Sequence, residues 1–381
     1  MSIWSKDYII LLIINAVSSL GTQILTPILP LYASNMGAVE SQLGYLAAAA
    51  SFSSLLIRPF AGIVADRAER KKVICIVQTA IAAVIFCMSL SRNIYLLIVM
   101  RLIQGFMYGI TTTLIMVSIV QTLPEDKLGQ GIGFYGISTI GNQAIAPVIG
   151  LSVADALGYS AVFYTTASFV LFSVCLSLAL NSQGTTGSKE KFVFHNIFAK
   201  EAVGIAVVGA IFMCGHTAVS NFLVVFARGR GIQAVGFYFT IHIVVLIATR
   251  IFSSRWIDEL PYQRILYPCA VLCAAGLWII SMAQSFVYLA AAGVILGLGY
   301  GIATPTIQTS VVRQVEPERH GAASATYFVG VDLSVVLGSV MMGNVAERFD
   351  YDMGYRVISA AVLATVFLIA RLARRKAPKE G

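Results

Sequence analysis

Charge is the scarce ingredient of this sequence. Only 12% of its 381 residues are Asp, Glu, Lys or Arg, while 58% are hydrophobic; soluble domains carry about 25% charged residues. The deficit excludes a water-soluble globular chain, because no fold in water hides so much apolar surface, whereas a bilayer accepts it. A mean hydropathy of +0.83 agrees. No G-x-x-x-x-G-K-[ST] stretch occurs, so ATP hydrolysis by that route is excluded. The six cysteines, Cys75, Cys87, Cys175, Cys214, Cys269 and Cys273, all sit in apolar runs. They lack the His or acidic companions of a metal site and read as small buried hydrophobes. No metal, no cofactor and no enzymatic chemistry is expected. MSIWSK is too short and too weakly basic for a cleaved leader, and none is expected.

Long apolar runs are what the chain does have. A membrane-spanning helix needs about 20 mostly apolar residues. Twelve such runs begin near residues 7, 40, 72, 93, 128, 159, 200, 231, 263, 286, 320 and 353. The connections are short except for the polar NSQGTTGSKEKFVFHN at 181–196, which follows the sixth run. The reading is an all-α membrane protein of twelve transmembrane helices in two six-helix bundles. Residues 1–181 form the first bundle, 182–199 a cytoplasmic linker, and 200–381 the second bundle with a basic tail. Of the 26 Lys and Arg, five (Arg92, Arg228, Arg230, Arg348, Arg356) fall outside when the N-terminus is placed in the cytoplasm. Three lie within spans (Arg58, Arg101, Arg250), and the rest are cytoplasmic, as the positive-inside rule requires. Both termini are therefore expected on the cytoplasmic side of the inner cell membrane. The net charge of +8 is then mostly topology; anionic lipid headgroups suffice as its partner, and no nucleic acid is implied.

An internal repeat carries more information. RPFAGIVAD (58–66) aligns with RIFSSRWID (250–258), and GFMYGITTTLIMVS (105–118) with GLGYGIATPTIQTS (297–310), both at an offset of 192 positions. Parallel repeats of this kind predict a pseudo-two-fold axis along the membrane normal and a site between the halves. A decoy, GIGFYG at 131–136, satisfies G-x-G-x-x-G but lies inside an apolar span with no preceding strand, so a dinucleotide site is excluded.

With these residues in view, the chain resembles the major facilitator superfamily over nearly its whole length, and within it the twelve-span drug/proton antiporters. Gly62, Asp66, Arg67, Arg70, Lys71 and Lys72 fit the family's signature between spans 2 and 3, with Glu69 where a second Gly is usual. Arg101, Gln104 and Gly105 fit an Arg-x-x-Gln-Gly pattern in span 4, and LGTQILTPILP in span 1 is similar to an antiporter pattern. GNQAIAPVIG keeps Gly141, Pro147 and Gly150 of the span 5 antiporter motif, with Ala146 where a Gly normally precedes the Pro. The resemblance implies a major facilitator fold, secondary transport by alternating access, and a cytoplasmic gate. In that gate Asp66 accepts hydrogen bonds from the N-terminus of span 11, Arg70 pairs with Glu125 or Asp126, and Arg58, Arg67, Arg250 and Asp258 take part.

Chemistry belongs where charge is costly, and an Asp or Arg at the bilayer centre costs about 2.5 to 3.5 kcal/mol on insertion scales. Arg101 falls roughly 12 Å into span 4 and Asp332 roughly 18 Å into span 11, at 1.5 Å per residue. Asp332 is the candidate proton carrier, with Arg101 tuning or pairing with it; the bland alternative is a static packing role, with Asn15, Gln23 or carbonyls satisfying Arg101. His242, about 16 Å into span 8, is a second proton candidate, whereas His216 carries less weight. Helical phase groups Gln104, Tyr108 and Thr112 with Arg101. The repeat places Tyr300, Thr304 and Gln308 in matching positions, and Asn142, Gln143, Asn221 and Tyr238 complete the expected substrate cavity. Such a lining suits a lipophilic neutral or cationic molecule better than a sugar phosphate. The expected activity is proton-coupled antiport, effluxing a drug or secreted metabolite, by a monomer driven by the proton gradient. Uptake of a sugar, polyol or other metabolite on the same fold is the alternative; a sensor or assembly factor is a third, disfavoured by the charged gate.

Overall fold

The computed structural model describes residues 4–67, 69–124, 127–180, 199–316 and 319–376. Twelve α-helices follow one another: α1 (Lys6–Asn35), α2 (Glu40–Arg67), α3 (Arg70–Leu90), α4 (Ile94–Thr122), α5 (Leu128–Leu157), α6 (Tyr159–Leu178), α7 (Val203–Gly229), α8 (Gly236–Glu259), α9 (Tyr262–Ser281), α10 (Phe286–Val312), α11 (His320–Arg348) and α12 (Tyr351–Lys376). No strand occurs among the described residues. Lipid offers no hydrogen bonds to a bare backbone, so spanning segments satisfy their own amides as helices. Eleven of these segments are long and apolar enough to cross a membrane, α2 being the exception among the described residues. Two helix starts in the first unit are capped by side chains. Ser5 Oγ accepts from the Tyr8 amide at 3.2 Å, and Asn93 Oδ1 from the Tyr95 amide at 2.8 Å.

The chain divides into two compact units. The first comprises Met1–Ala38 and Ala49–Glu190, the second Val39–Ala48 and Lys191–Gly381. The opening residues of α2 thus pack with the second unit, where Gly44 lies against α11. A Cβ on Gly44 would sit 2.7 Å from the Ser339 carbonyl oxygen and 3.2 Å from Gly343 Cα, and the Ser41 amide donates to Glu347 Oε2 at 3.2 Å.

In the first unit α1 packs on α5 and α6, and α3 on α4 and α6. The α2–α4 crossing is close enough that only glycine fits on α4. A Cβ on Gly105 would lie 2.1 Å from the Ala50 carbonyl oxygen, and one on Gly109 3.0 Å from that of Ser54. Close approach of this kind is how helices associate in lipid, where packing rather than hydrophobicity drives contact. At the first unit's charged end, Arg70 is buried and donates to Gln121 Oε1 of α4. Lys71 Nζ donates to the carbonyls of Leu178 (2.7 Å) and Leu180 (2.6 Å), capping the end of α6.

In the second unit α10 packs on α8 and α9, α11 on α7, and α12 on α7 and α9. The α8–α10 crossing repeats the first unit's: a Cβ on Gly297 would meet the His242 carbonyl oxygen at 2.7 Å, and one on Gly301 that of Leu246 at 2.9 Å. Two cations of the second unit, Arg230 just after α7 and Arg356 on α12, have partners of their own. Arg230 pairs with Asp352, donates to the Ala283 carbonyl at 2.7 Å and lies 4.6 Å over the Phe226 ring. Arg356 stacks on Trp278 at 5.5 Å.

Candidate substrate and proton site

In the first unit the polar side chains fall into two groups. Asn142 on α5 donates to the Ala16 carbonyl (2.7 Å) and Ser19 Oγ (2.5 Å), and Asn15 on α1 donates to Ser138 Oγ (3.0 Å). These bonds bolt α1 to α5, so Asn142 is a packing residue rather than an open cavity group. Gly150 has the same task, since a Cβ there would lie 2.9 Å from Ile28 and 3.2 Å from the Ile24 carbonyl oxygen. Pro147 is buried, whereas Gly141 has open space around it. The second group is on α4. Arg101 Nη1 donates to Gln104 Oε1 at 2.7 Å, one turn along the same helix, and its Nε is buried with no hydrogen-bond partner among the described residues. Tyr108 follows on the same face, and Thr112 returns its hydroxyl to the Tyr108 carbonyl at 3.0 Å. Gln143 is half-buried.

The second unit gathers a different set. His216 of α7, Tyr238 and His242 of α8, and Tyr300 of α10 form one aromatic cluster. Tyr238 and His242 stack in parallel at 5.8 Å, His216 and His242 are 5.9 Å apart, and Tyr300 meets His216 edge-on at 5.5 Å. Tyr238, Tyr300 and His242 are buried, and the two hydroxyls and His242 Nδ1 find no hydrogen-bond partner among the described residues. Among those residues no third His, Cys, Asp or Glu joins the imidazoles to complete a metal-binding set. Tyr238 and Tyr300, read from sequence as cavity-lining, sit instead inside the bundle. His216 had little sequence signal because its neighbour is on an adjacent helix, 26 positions along the chain.

His242 is shallower than its sequence position suggests. α8 begins at Gly236, five residues later than expected, because the chain turns through left-handed backbone at Gly231 (φ 70°) and Ala234 (φ 62°). His242 is therefore about 9 Å into its helix at 1.5 Å per residue. Asn221 donates to the Thr217 carbonyl (3.2 Å) and more loosely to Ser339 Oγ of α11 (3.4 Å). Thr304 is half-buried and Gln308 exposed. Asp332, half-buried, lies about 18 Å along α11. Every other acidic residue outside the connections lies within a turn of a helix end.

The expected gate is only partly visible. Glu125 and Asp126 lie outside the described residues, as do the surroundings of Gly62 and the side chains of Asp66, Arg67 and Asp258. Arg70, whose expected partners are Glu125 and Asp126, donates to Gln121 Oε1 of α4. Arg58 and Arg250 are half-buried in α2 and α8.

Relatives share this architecture. The chain is 22% identical over 375 residues to the staphylopine export protein of Staphylococcus aureus (strain Mu50 / ATCC 700699), covering 93% of each chain. It is 22% identical to the staphyloferrin B transporter of S. aureus (strain NCTC 8325 / PS 47), covering 97% of this chain and 90% of that one. The crystal structure of nucleoside transporter NupG matches the fold with a TM-score of 0.78 at 13% identity, over 97% of this chain and all of that one. The Major Facilitator Superfamily profile matches residues 11–267 and 205–381. A helical frame built on repeated glycine crossings, with family matches over its whole length, is that of a multi-pass membrane transporter, and this chain belongs to the Major Facilitator Superfamily.

Proposed function

We propose that the protein is a proton-coupled exporter of small amphipathic molecules, working by alternating access. The observation that carries the proposal is the placement of Asp332, among the described residues the single carboxylate set deep in a spanning helix. A charge there is costly enough to mark function by default, and a carboxylate can carry one proton per cycle. Export as the direction draws support from a relative named for staphylopine export and from the span 1 and span 5 antiporter-like patterns. His242 is the second proton candidate. The basic connection around Asp66 and Arg67 serves, in this proposal, as a gate that closes in one state and breaks in the other. A proton gradient at the inner cell membrane supplies the energy.

The test is proton release in energised inside-out vesicles, for wild type and Asp332→Asn, with lipophilic cations, neutral antibiotics and amphipathic acids added in turn. Compound-triggered proton efflux is expected in wild type and absent in the variant. An equal response from Asp332→Asn would remove Asp332 from coupling. Silence with every compound would favour uptake of a metabolite, a reading kept alive by Ala146 in place of the motif's Gly.

A further inference from the structure

The Arg101 side chain is short of partners in a particular way. A guanidinium offers five N–H donors in a rigid fork and stays charged in a protein. Among the described residues, one of those donors is engaged: Nη1, by Gln104 Oε1 at 2.7 Å. Gln104 is itself buried at 2% exposure, so it holds Nη1 without adding charge. Nε and Nη2 point the same way along the other edge of the fork, and neither has a hydrogen bond to a described residue. Nε is moreover sealed from solvent. That edge is the one that grips a carboxylate through two parallel N–H···O bonds.

The charge around it is as uneven as the hydrogen bonding. The spans of the first unit carry two cations, Arg58 and Arg101, while its acidic residues all lie at helix ends or in connections (Asp7, Asp66, Glu69, Glu125, Asp126, Asp155, Glu190). The Asn15 and Asn142 amides donate to Ser138, Ser19 and the Ala16 carbonyl. Nor does the repeat supply a twin, because the position 192 residues on is Gly293, where Tyr238 packs. Arg101 is half-buried with its Nε sealed off, and a cation so placed is stabilised when a counter-ion arrives.

We infer that the transported molecule carries a carboxylate, which docks on the Nε–Nη2 edge of Arg101. This rests on the transport reading above and narrows it: the cargo is an amphipathic organic acid rather than a lipophilic cation. One fork fits one carboxylate, whereas a phosphate dianion asks for further cations that the face from Arg101 through Gln104 and Tyr108 to Thr112 does not offer. Arg101 is then a specificity residue, and Gln104 positions it.

The test uses the purified full-length protein and needs no gradient. The fraction surviving heating, read by size exclusion, is followed against three probe acids (1-naphthylacetate, hippurate and N-acetylphenylalanine), their primary amides, and inorganic phosphate; a ligand that binds only the folded state protects it by mass action. At least one acid is expected to protect wild type while its amide and phosphate do not. Arg101→Gln, if as heat-stable as wild type without ligand, should weaken the apparent affinity about 30-fold or more, the scale for unpairing a buried charge. Arg101→Lys should recover part of it, keeping the charge but losing the fork. Protection by amide and acid alike, by phosphate alone, or by none of the acids overturns the assignment, as does undiminished binding by Arg101→Gln. If Arg101→Gln proves unstable, the Lys variant decides: affinity equal to wild type removes the fork from the argument. Carboxylate protection alongside silent vesicles would sink proton-coupled export and leave this inference standing.

Discussion

The two units solve one packing problem identically and then fill the space around it differently. Gly105 faces the Ala50 carbonyl in the first, Gly297 the His242 carbonyl in the second, and each residue is 192 positions from its counterpart. Gly109 with Ser54 and Gly301 with Leu246 keep the same correspondence. Beside this shared crossing the first unit places a guanidinium held by Gln104; the second places four aromatic rings from three helices. The lesson is that backbone approach fixes which positions must be small, because a Cβ meets backbone that cannot yield. Side chains one turn away face no such demand and are free to differ in charge.

The widest difference to test is steric. Gly105→Ala puts its methyl 2.1 Å from a carbonyl oxygen, against 2.7 Å for Gly297→Ala. Overpacking costs about 1–3 kcal/mol, occasionally more, so both variants should unfold at lower temperature and the first at the lowest. A reversed order in thermal melts of the purified variants would show that the first crossing relaxes more easily than its geometry implies.

Hydrogen bonding gives a smaller contrast. Asn142 makes two short bonds across α1 and α5, whereas Asn221 makes one bond within its own helix and one long one across to α11. Interhelical bonds in membranes average about 0.6 kcal/mol and reach about 1.7. Asn142→Ala should therefore approach the upper figure and Asn221→Ala a few tenths, which denaturant titrations of the two variants would resolve. Equal losses would place the weight on side-chain volume instead.

The smallest effect differs in sign. Tyr8 donates to the Gly131 carbonyl at 2.9 Å in the first unit, while the buried Tyr300 hydroxyl has no partner among the described residues of the second. Tyr8→Phe should cost about 1 kcal/mol, and Tyr300→Phe should be neutral or stabilising, since an unmade buried bond carries a penalty of its own. Destabilisation by Tyr300→Phe would reveal a partner for that hydroxyl, most simply an ordered water.

Much of the frame was readable in the amino acids. Ten of the twelve helices start within two residues of where hydropathy alone puts them, because a spanning helix has a required length and polar connections have nowhere else to go. α8 starts late since Gly231 and Ala234 adopt backbone that hydropathy does not report, and α7 since a short 3-10 turn, Lys200–Ala202, precedes it. The repeat offset, read from matching letters, reappears as matching contacts. The polar sites were less legible. Phase along α4 correctly aligned Arg101 with Gln104, neighbours one turn apart. It had no means of telling that Asn142 would be tied to α1, or that His216 would meet His242, because those partners lie on other helices.

Arg230 adds a consequence in time. Its counter-ion, Asp352, lies 122 positions further along the chain. At about 5–20 residues per second, a nascent chain carries Arg230 for about 6–24 s before Asp352 has been made. The α7–α8 turn is thus made well before the ion pair that ties it to the start of α12 can form.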